Sequence, residues 1–178
     1  MDRRQQKTRR AIFTAFGKLL ETKRYEQITV QDIIDEADVG RSTFYVHFET
    51  KDDLLKSMCT DIFDHVFTKT LPEGEILDDT ISLEMMLAHV LFHLREKKEN
   101  IKGLLRSESS ELFMRYFKEY LTLLFSKYTD TFRKDIPKDF LLNQLVGSFA
   151  EAVKWWINED TKHSNEEVAE FFIKMTRF

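Results

Sequence analysis

Apolar residues recur along this chain at the three- and four-residue spacing of amphipathic helices. Ile12, Ala15, Phe16 and Leu19 form one stripe and predict a helix from about Arg4 to Thr22. Val30, Ile33, Ile34 and Ala37 form a second, shorter stripe behind Thr29, a residue suited to capping a helix N-terminus. Phe44 and Phe48, at i and i+4, mark a third short helix that opens after Gly40. Between the two short helices Asp38 tolerates the left-handed backbone of a tight turn, and Val39 returns to the core. Leu54, Leu55, Met58, Ile62, Val66 and Phe67 predict a long fourth helix, opened by the capping box Thr50-Lys51-Asp52-Asp53. It runs to about Lys69 and ends at the Leu71-Pro72-Glu73-Gly74 break.

Further on, Leu83, Met86, Leu87, Val90, Leu91 and Leu94 share one side of a helix over 82–98. A short helix over 101–106 precedes a start signal at Ser107-Glu108-Ser109-Ser110. The next pattern, 111–128, is aromatic-rich, with Phe113, Tyr116, Phe117, Tyr120, Leu124 and Tyr128. Helices over 138–158 and 166–177 complete the chain, the last opened by a Ser164-Asn165-Glu166-Glu167 capping box. Sixteen Phe beside five Gly and two Pro agree with an almost entirely helical protein of 178 residues, long enough to bury a sizeable core.

The third helix carries an unusual cargo. Its polar face holds Arg41, Ser42, Thr43, Tyr45 and His47, where an ordinary solvated face would hold Glu, Lys and Gln. Hydrogen-bonding groups crowded onto the first two turns of a short helix suit the edges of bases in a DNA major groove. The distribution of charge supports this better than the net value of −4. Arg3, Arg4, Lys7, Arg9 and Arg10 oppose only Asp2 in the first ten residues, whereas residues 57–178 hold 16 basic and 21 acidic side chains. A basic arm leading into a helix-turn-helix is the footprint of phosphate contact. Within residues 28–51 only Arg41 and Lys51 oppose five carboxylates, so the arm must supply much of any affinity. Lys51 stands in the first turn of the fourth helix, whose outward backbone donors favour an anion.

Residues 7–58 resemble the DNA-binding domain of the TetR (tetracycline repressor) family of bacterial transcription regulators. The family pattern is matched by Thr29, Val39, Thr43, Phe44, Tyr45, His47, Phe48 and Lys51. The chain departs from it at Asp38, Gly40, Val46 and Glu49. The resemblance implies an all-α fold, with an N-terminal three-helix helix-turn-helix domain over residues 1–50. A larger helical ligand-binding and dimerisation domain follows over 51–178. It implies base contacts from Arg41, Ser42, Tyr45 and Val46, and phosphate contacts from Thr29, Thr43, His47 and Lys51. It further implies a homodimeric repressor of a palindromic double-stranded operator, released by a small-molecule effector. The fourth helix is then the mechanical connection between domains.

Residues 140–157 bear apolar side chains on two faces, Leu142, Val146, Phe149, Val153 and Trp156 on one, and Leu141, Leu145, Ala152 and Trp155 on the other. A surface helix needs one such stripe, so the second requires a cover. With Phe171 and Phe172 of the last helix, the first face predicts a four-helix dimer interface of the kind the family uses. By the same resemblance, an effector cavity falls among Phe63, Phe67, Met86, His89, Phe92, His93, Phe113, Phe117 and Tyr120.

Other chemistry is poorly represented. His89 and His93 have the i,i+4 spacing of a zinc site but lack a third ligand at diagnostic spacing, and read as partly buried core histidines. No phosphate loop or nucleophile motif is present, so no enzymatic activity and no cofactor are expected. Cys59, the single cysteine, reads as a small core residue. No apolar run approaches a membrane span, which predicts a cytoplasmic protein without membrane contact. The alternative to a DNA reader is a protein-binding co-regulator that keeps the helix-turn-helix, motivated by the acidic residues from Asp32 to Glu49.

Overall fold

The computed structural model describes residues 3–68, 82–105, 110–129, 135–160 and 162–176, and among them the helical stripes become nine α-helices, with a 3-10 turn at Tyr25–Gln27. No strand occurs among the described residues. The side chains of residues 62 and 64–68 lie outside that description, as do the Leu71–Gly74 break, the predicted helix end at Lys69 and residues 107–109 of the predicted start signal. In order, the elements are α1 (Arg3–Thr22), the 3-10 turn (Tyr25–Gln27), α2 (Val30–Ala37), α3 (Arg41–His47) and α4 (Lys51–Thr68). They continue with α5 (Leu83–Glu96), α6 (Lys98–Leu105), α7 (Ser110–Ser126), α8 (Lys138–Asn158) and α9 (Asn165–Thr176). Two compact units result, Met1–Asp61 with Glu99–Phe113, and Ile62–Lys98 with Met114–Phe178.

The first unit is built on Ile12, Phe16, Leu20, Ile33, Phe44, Phe48, Leu54 and Leu55, all buried. Leu20 completes the α1 stripe where the sequence pattern favoured Leu19, which is half-buried. Residues 12, 16 and 20 form an i,i+4 row, and that row faces the core. The Phe48 ring lies 5.7 Å from Phe13 and 5.8 Å from Phe44, so the C-terminal end of α3 closes on α1 through aromatic contacts. Burying one such ring contributes roughly 1.5–3 kcal/mol. The helix α6 belongs to this unit, with Ile101 and Leu104 buried. Glycines permit its approach to α1. A Cβ on Gly103 would fall 2.0 Å from the Leu20 carbonyl oxygen, and one on Gly17 would fall 2.8 Å from the Asn100 amide nitrogen.

In the second unit, Phe125, Phe149 and Phe172 meet in one cluster, with centroid separations of 6.0, 5.8 and 5.0 Å. Trp156 is fully buried and donates its indole N–H to the His163 carbonyl at 2.9 Å. Arg95 of α5 donates to the Asn165 side chain at the start of α9 at 3.3 Å. The Ser164–Glu167 capping box forms reciprocally: Glu167 N donates to Ser164 Oγ at 3.1 Å, and Ser164 N to Glu167 Oε2 at 2.8 Å.

The residues of the predicted dimer face divide by burial. Val146, Phe149, Val153, Trp156 and Phe172 are at most 7 % exposed, inside the unit's own core. The richer stripe of α8 is spent within the chain, where burial carries no association entropy. Leu142 is half-buried and Phe171 is 44 % exposed. On α8 and α9 the exposed large apolar side chains are Phe140, Trp155, Phe171 and Met175.

A candidate nucleic-acid interface

The α2 N-terminus is closed by a reciprocal capping box. Asp32 N donates to Thr29 Oγ1 at 3.1 Å, Thr29 N donates to Asp32 Oδ2 at 2.8 Å, and the Thr29 hydroxyl also donates to that carboxylate. Lys23 adds an ion pair to Asp32 at 2.9 Å. The Thr29 hydroxyl and amide hydrogen bonds, with Lys23, hold the Asp32 carboxyl well below the usual carboxylate range. It therefore remains ionised beside the helix N-terminus, whose dipole favours an anion. At the other end Asp38 takes the left-handed conformation at φ 51° and caps α2, as its side chain chemistry allows. Gly40 then opens α3 with an extended backbone and no side-chain cap.

Phe44 and Phe48 pin α3 from beneath, both essentially fully buried. That fixes which residues point outward. Arg41 and Ser42 are exposed, Tyr45 is 48 % and Val46 73 % exposed, and Thr43 and His47 are half-buried at the flanks. Tyr45 sits edge-on to Phe44 at 5.5 Å. The Arg41 guanidinium donates through Nη2 to Gln31 Oε1 of α2 at 2.7 Å, and Gln31 Nε2 donates to Asp35 Oδ1 at 2.8 Å. Sequence reasoning left Gln31 out. The signal was its i,i+4 spacing from Asp35, but the link to Arg41 depends on the α2–α3 turn.

Lys51 is tied more deeply than its place in a first helical turn implied. Its ammonium donates to the carbonyls of Tyr25 at 2.8 Å and Ile28 at 2.7 Å and lies 4.2 Å from the centre of the Tyr25 ring. Burial lowers its pKa from the ordinary lysine value. The Tyr25 hydroxyl in turn donates to Asp52. Thr50 and Asp53 cap α4 in staggered fashion: Asp53 N donates to Thr50 Oγ1 at 3.0 Å, while the Asp53 carboxylate accepts from the Glu49 amide at 3.2 Å.

Among the basic arm residues Arg9 is turned inward. Its guanidinium covers the Phe13 and Phe48 rings at 4.8 and 5.3 Å and pairs with Asp61 at 3.5 Å. Arg3, Arg4, Lys7 and Arg10 are exposed.

The effector candidates differ in burial. Phe63 is buried, stacked on Phe117 at 5.3 Å and tilted against Tyr120 at 5.1 Å. Met86 is buried, and the half-buried His89 and His93 rings meet edge to face at 4.5 Å. Phe113 is buried and belongs to the first unit, and Phe92 is 48 % exposed. The Phe67 side chain lies outside the described residues. No group of three or more His, Cys, Asp or Glu among the described residues is placed to hold a metal ion. Cys59 is buried, and burial pushes its thiol pKa up to about 12. No helix among the described residues is long and apolar enough to cross a membrane.

Two short helices meeting at a capped turn, the second presenting Arg41, Ser42, Tyr45 and Val46 to solvent, define a helix-turn-helix regulator of the DNA-binding kind. Residues 10–58 match the model for bacterial regulatory proteins of the tetR family, and residues 81–178 match that for a transcriptional regulator C-terminal region. The chain belongs to the TetR family of transcriptional regulators. It is similar to the crystal structure of a TetR transcriptional regulator from Streptococcus agalactiae 2603V, with 36 % identity, 99 % of this chain and 97 % of that one covered, and a TM-score of 0.79. Shorter similarities join it to the HTH-type regulator YxbF of Bacillus subtilis (38 % identity over 77 residues, 40 % of this chain). The dhaKLM operon activator DhaS of Lactococcus lactis is 31 % identical over 93 residues, 52 % of this chain. The matched parts span 20 % of YxbF and 44 % of DhaS. These relatives and families are transcriptional regulators, not enzymes.

Proposed function

We propose that the protein is a cytoplasmic repressor that binds a palindromic operator as a homodimer and is released by a small-molecule effector. Residues 1–50 read DNA in this account, and residues 51–178 dimerise and bind the effector. The observation that carries the reading is the exposed face of α3, where Arg41, Ser42, Tyr45 and Val46 stand out while Phe44 and Phe48 lock the helix from below. Those four meet base edges. Thr29, Thr43, His47 and Lys51 meet phosphates, Lys51 through donor capacity beyond the two carbonyls it holds. Phe140, Trp155, Phe171 and Met175, with Leu142, supply the apolar dimer face. The effector rests among Phe63, Met86, His89, His93, Phe117 and Tyr120, and α4, bearing Lys51 and Phe63, carries its effect to the operator. By linkage, operator DNA then weakens effector binding by the factor with which effector weakens operator binding. Selection from random duplexes tests the reading: a palindromic motif is expected, and its absence at low salt overturns it. Similarity to the Lactococcus activator favours a second reading, in which the same operator contact recruits transcription. Reporter expression in a strain lacking the gene separates the two, rising for a repressor and falling for an activator.

A further inference from the structure

Gln31 lies between a group that only donates and a group that only accepts. Arg41 Nη2 donates to its Oε1 at 2.7 Å, and its Nε2 donates to Asp35 Oδ1 at 2.8 Å. A guanidinium has no acceptor and an ionised carboxylate has no donor, so only one orientation of the Gln31 amide satisfies both neighbours. Asp35 thereby fixes the face that Gln31 turns to Arg41. Glutamine is the residue type this position needs. Glutamate would set two carboxylates against each other, and lysine or arginine would repel Arg41. All three side chains are exposed, so the relay adds nothing to the core.

We infer that Gln31 is a positioning residue for base recognition, holding Arg41 ready for a guanine, an inference that rests on the operator reading above. One Nη2 hydrogen is held by Gln31, leaving four N–H donors on the guanidinium. Guanine offers two acceptors in the major groove, N7 and O6, which a forked pair of these donors matches. A long side chain anchored before DNA arrives loses less conformational freedom on binding. The device therefore acts on which base is chosen, leaving general attraction to phosphate alone.

The test uses the full chain, duplexes bearing its selected motif and single-base variants of them. The unaltered chain prefers guanine at one position of each half-site, and Arg41→Ala abolishes that preference. Gln31→Met, similar in length but without the acceptor, lowers the preference about tenfold at that same position. Its salt slope and melting temperature stay unchanged, and it has no further effect in the Arg41→Ala background. Asp35→Ala gives a smaller loss at the same position. A Gln31→Met loss at a different base pair, an equal loss in the Arg41→Ala background, or no loss beside a normal wild-type motif overturns the positioning role alone. No selected motif from the unaltered chain overturns the operator reading, and the positioning role with it.

Discussion

Two exposed surfaces of this protein are built by opposite means. The α2–α3 surface is held by directed polar links, Asp35 to Gln31 to Arg41 and Lys23 to Asp32 to Thr29, above a buried pair of phenylalanines. The surface of α8 and α9 is held by rings: Trp155 stacks on His163 at 5.8 Å, and His163 meets Phe171 edge-on at 5.4 Å. A polar surface must be preorganised to discriminate, because water satisfies misplaced donors at little cost. An apolar surface only has to be complementary in shape. The first can therefore change specificity through one side chain, while the second changes only in strength.

The sharpest contrast lies between adjacent tryptophans. Trp156→Ala should cost about 3–5 kcal/mol of stability by opening the core, read by denaturant unfolding. Trp155→Ala, which leaves the chain's own core intact, should shift stability by only about 0.5 kcal/mol when measured at concentrations too low for dimers to form. Equal losses for the two would erase the distinction between the inner and outer faces of α8. Next, Trp155→Asp combined with Phe171→Asp should leave a folded monomer in sedimentation. Operator affinity should fall by about 10²- to 10⁴-fold as the second half-site contact is lost. An unchanged dimer would remove the apolar surface from the assembly.

Smaller effects belong to the polar surface. Arg41→Ala should lose about 1–3 kcal/mol of discrimination at one base pair, measured on single-base operator variants, without altering the oligomer. Lys51→Ala should weaken all duplexes alike and lower the salt slope by about one ion. It should also reduce stability by about 1 kcal/mol, since the Tyr25 and Ile28 carbonyls lose their donor. A full salt-slope change with stability intact would mean that the two carbonyls do not depend on this ammonium.

Legibility in the sequence followed the same division. The helices were readable from apolar spacing, and the caps at Thr29, Asp38 and Ser164 from local side-chain chemistry, because both depend on residues a few positions apart. The outward face of α3 followed once Phe44 and Phe48 were placed inside. In α8, with apolar residues on both sides, periodicity cannot say which stripe meets the chain's own core. Only the fold shows that Phe149 and Trp156 lie on the inner stripe. The partners of Lys51 and Arg9 within the chain were not legible for a related reason. Tyr25, Ile28, Phe13, Phe48 and Asp61 are brought near them only by the fold.

The seat of α6 on α1 bears on where this chain can be cut. The match to the N-terminal tetR family model ends at residue 58, an apparent place to excise a portable DNA reader. Yet Gly103 occupies a backbone-width slot over the Leu20 carbonyl, and Ile101 and Leu104 are buried in the same unit. A fragment stopping near Asp61 would bare the flank of α1 that those residues cover. A transplantable version of the reading head therefore has to carry α6 with it, a piece of chain borrowed from beyond the apparent boundary.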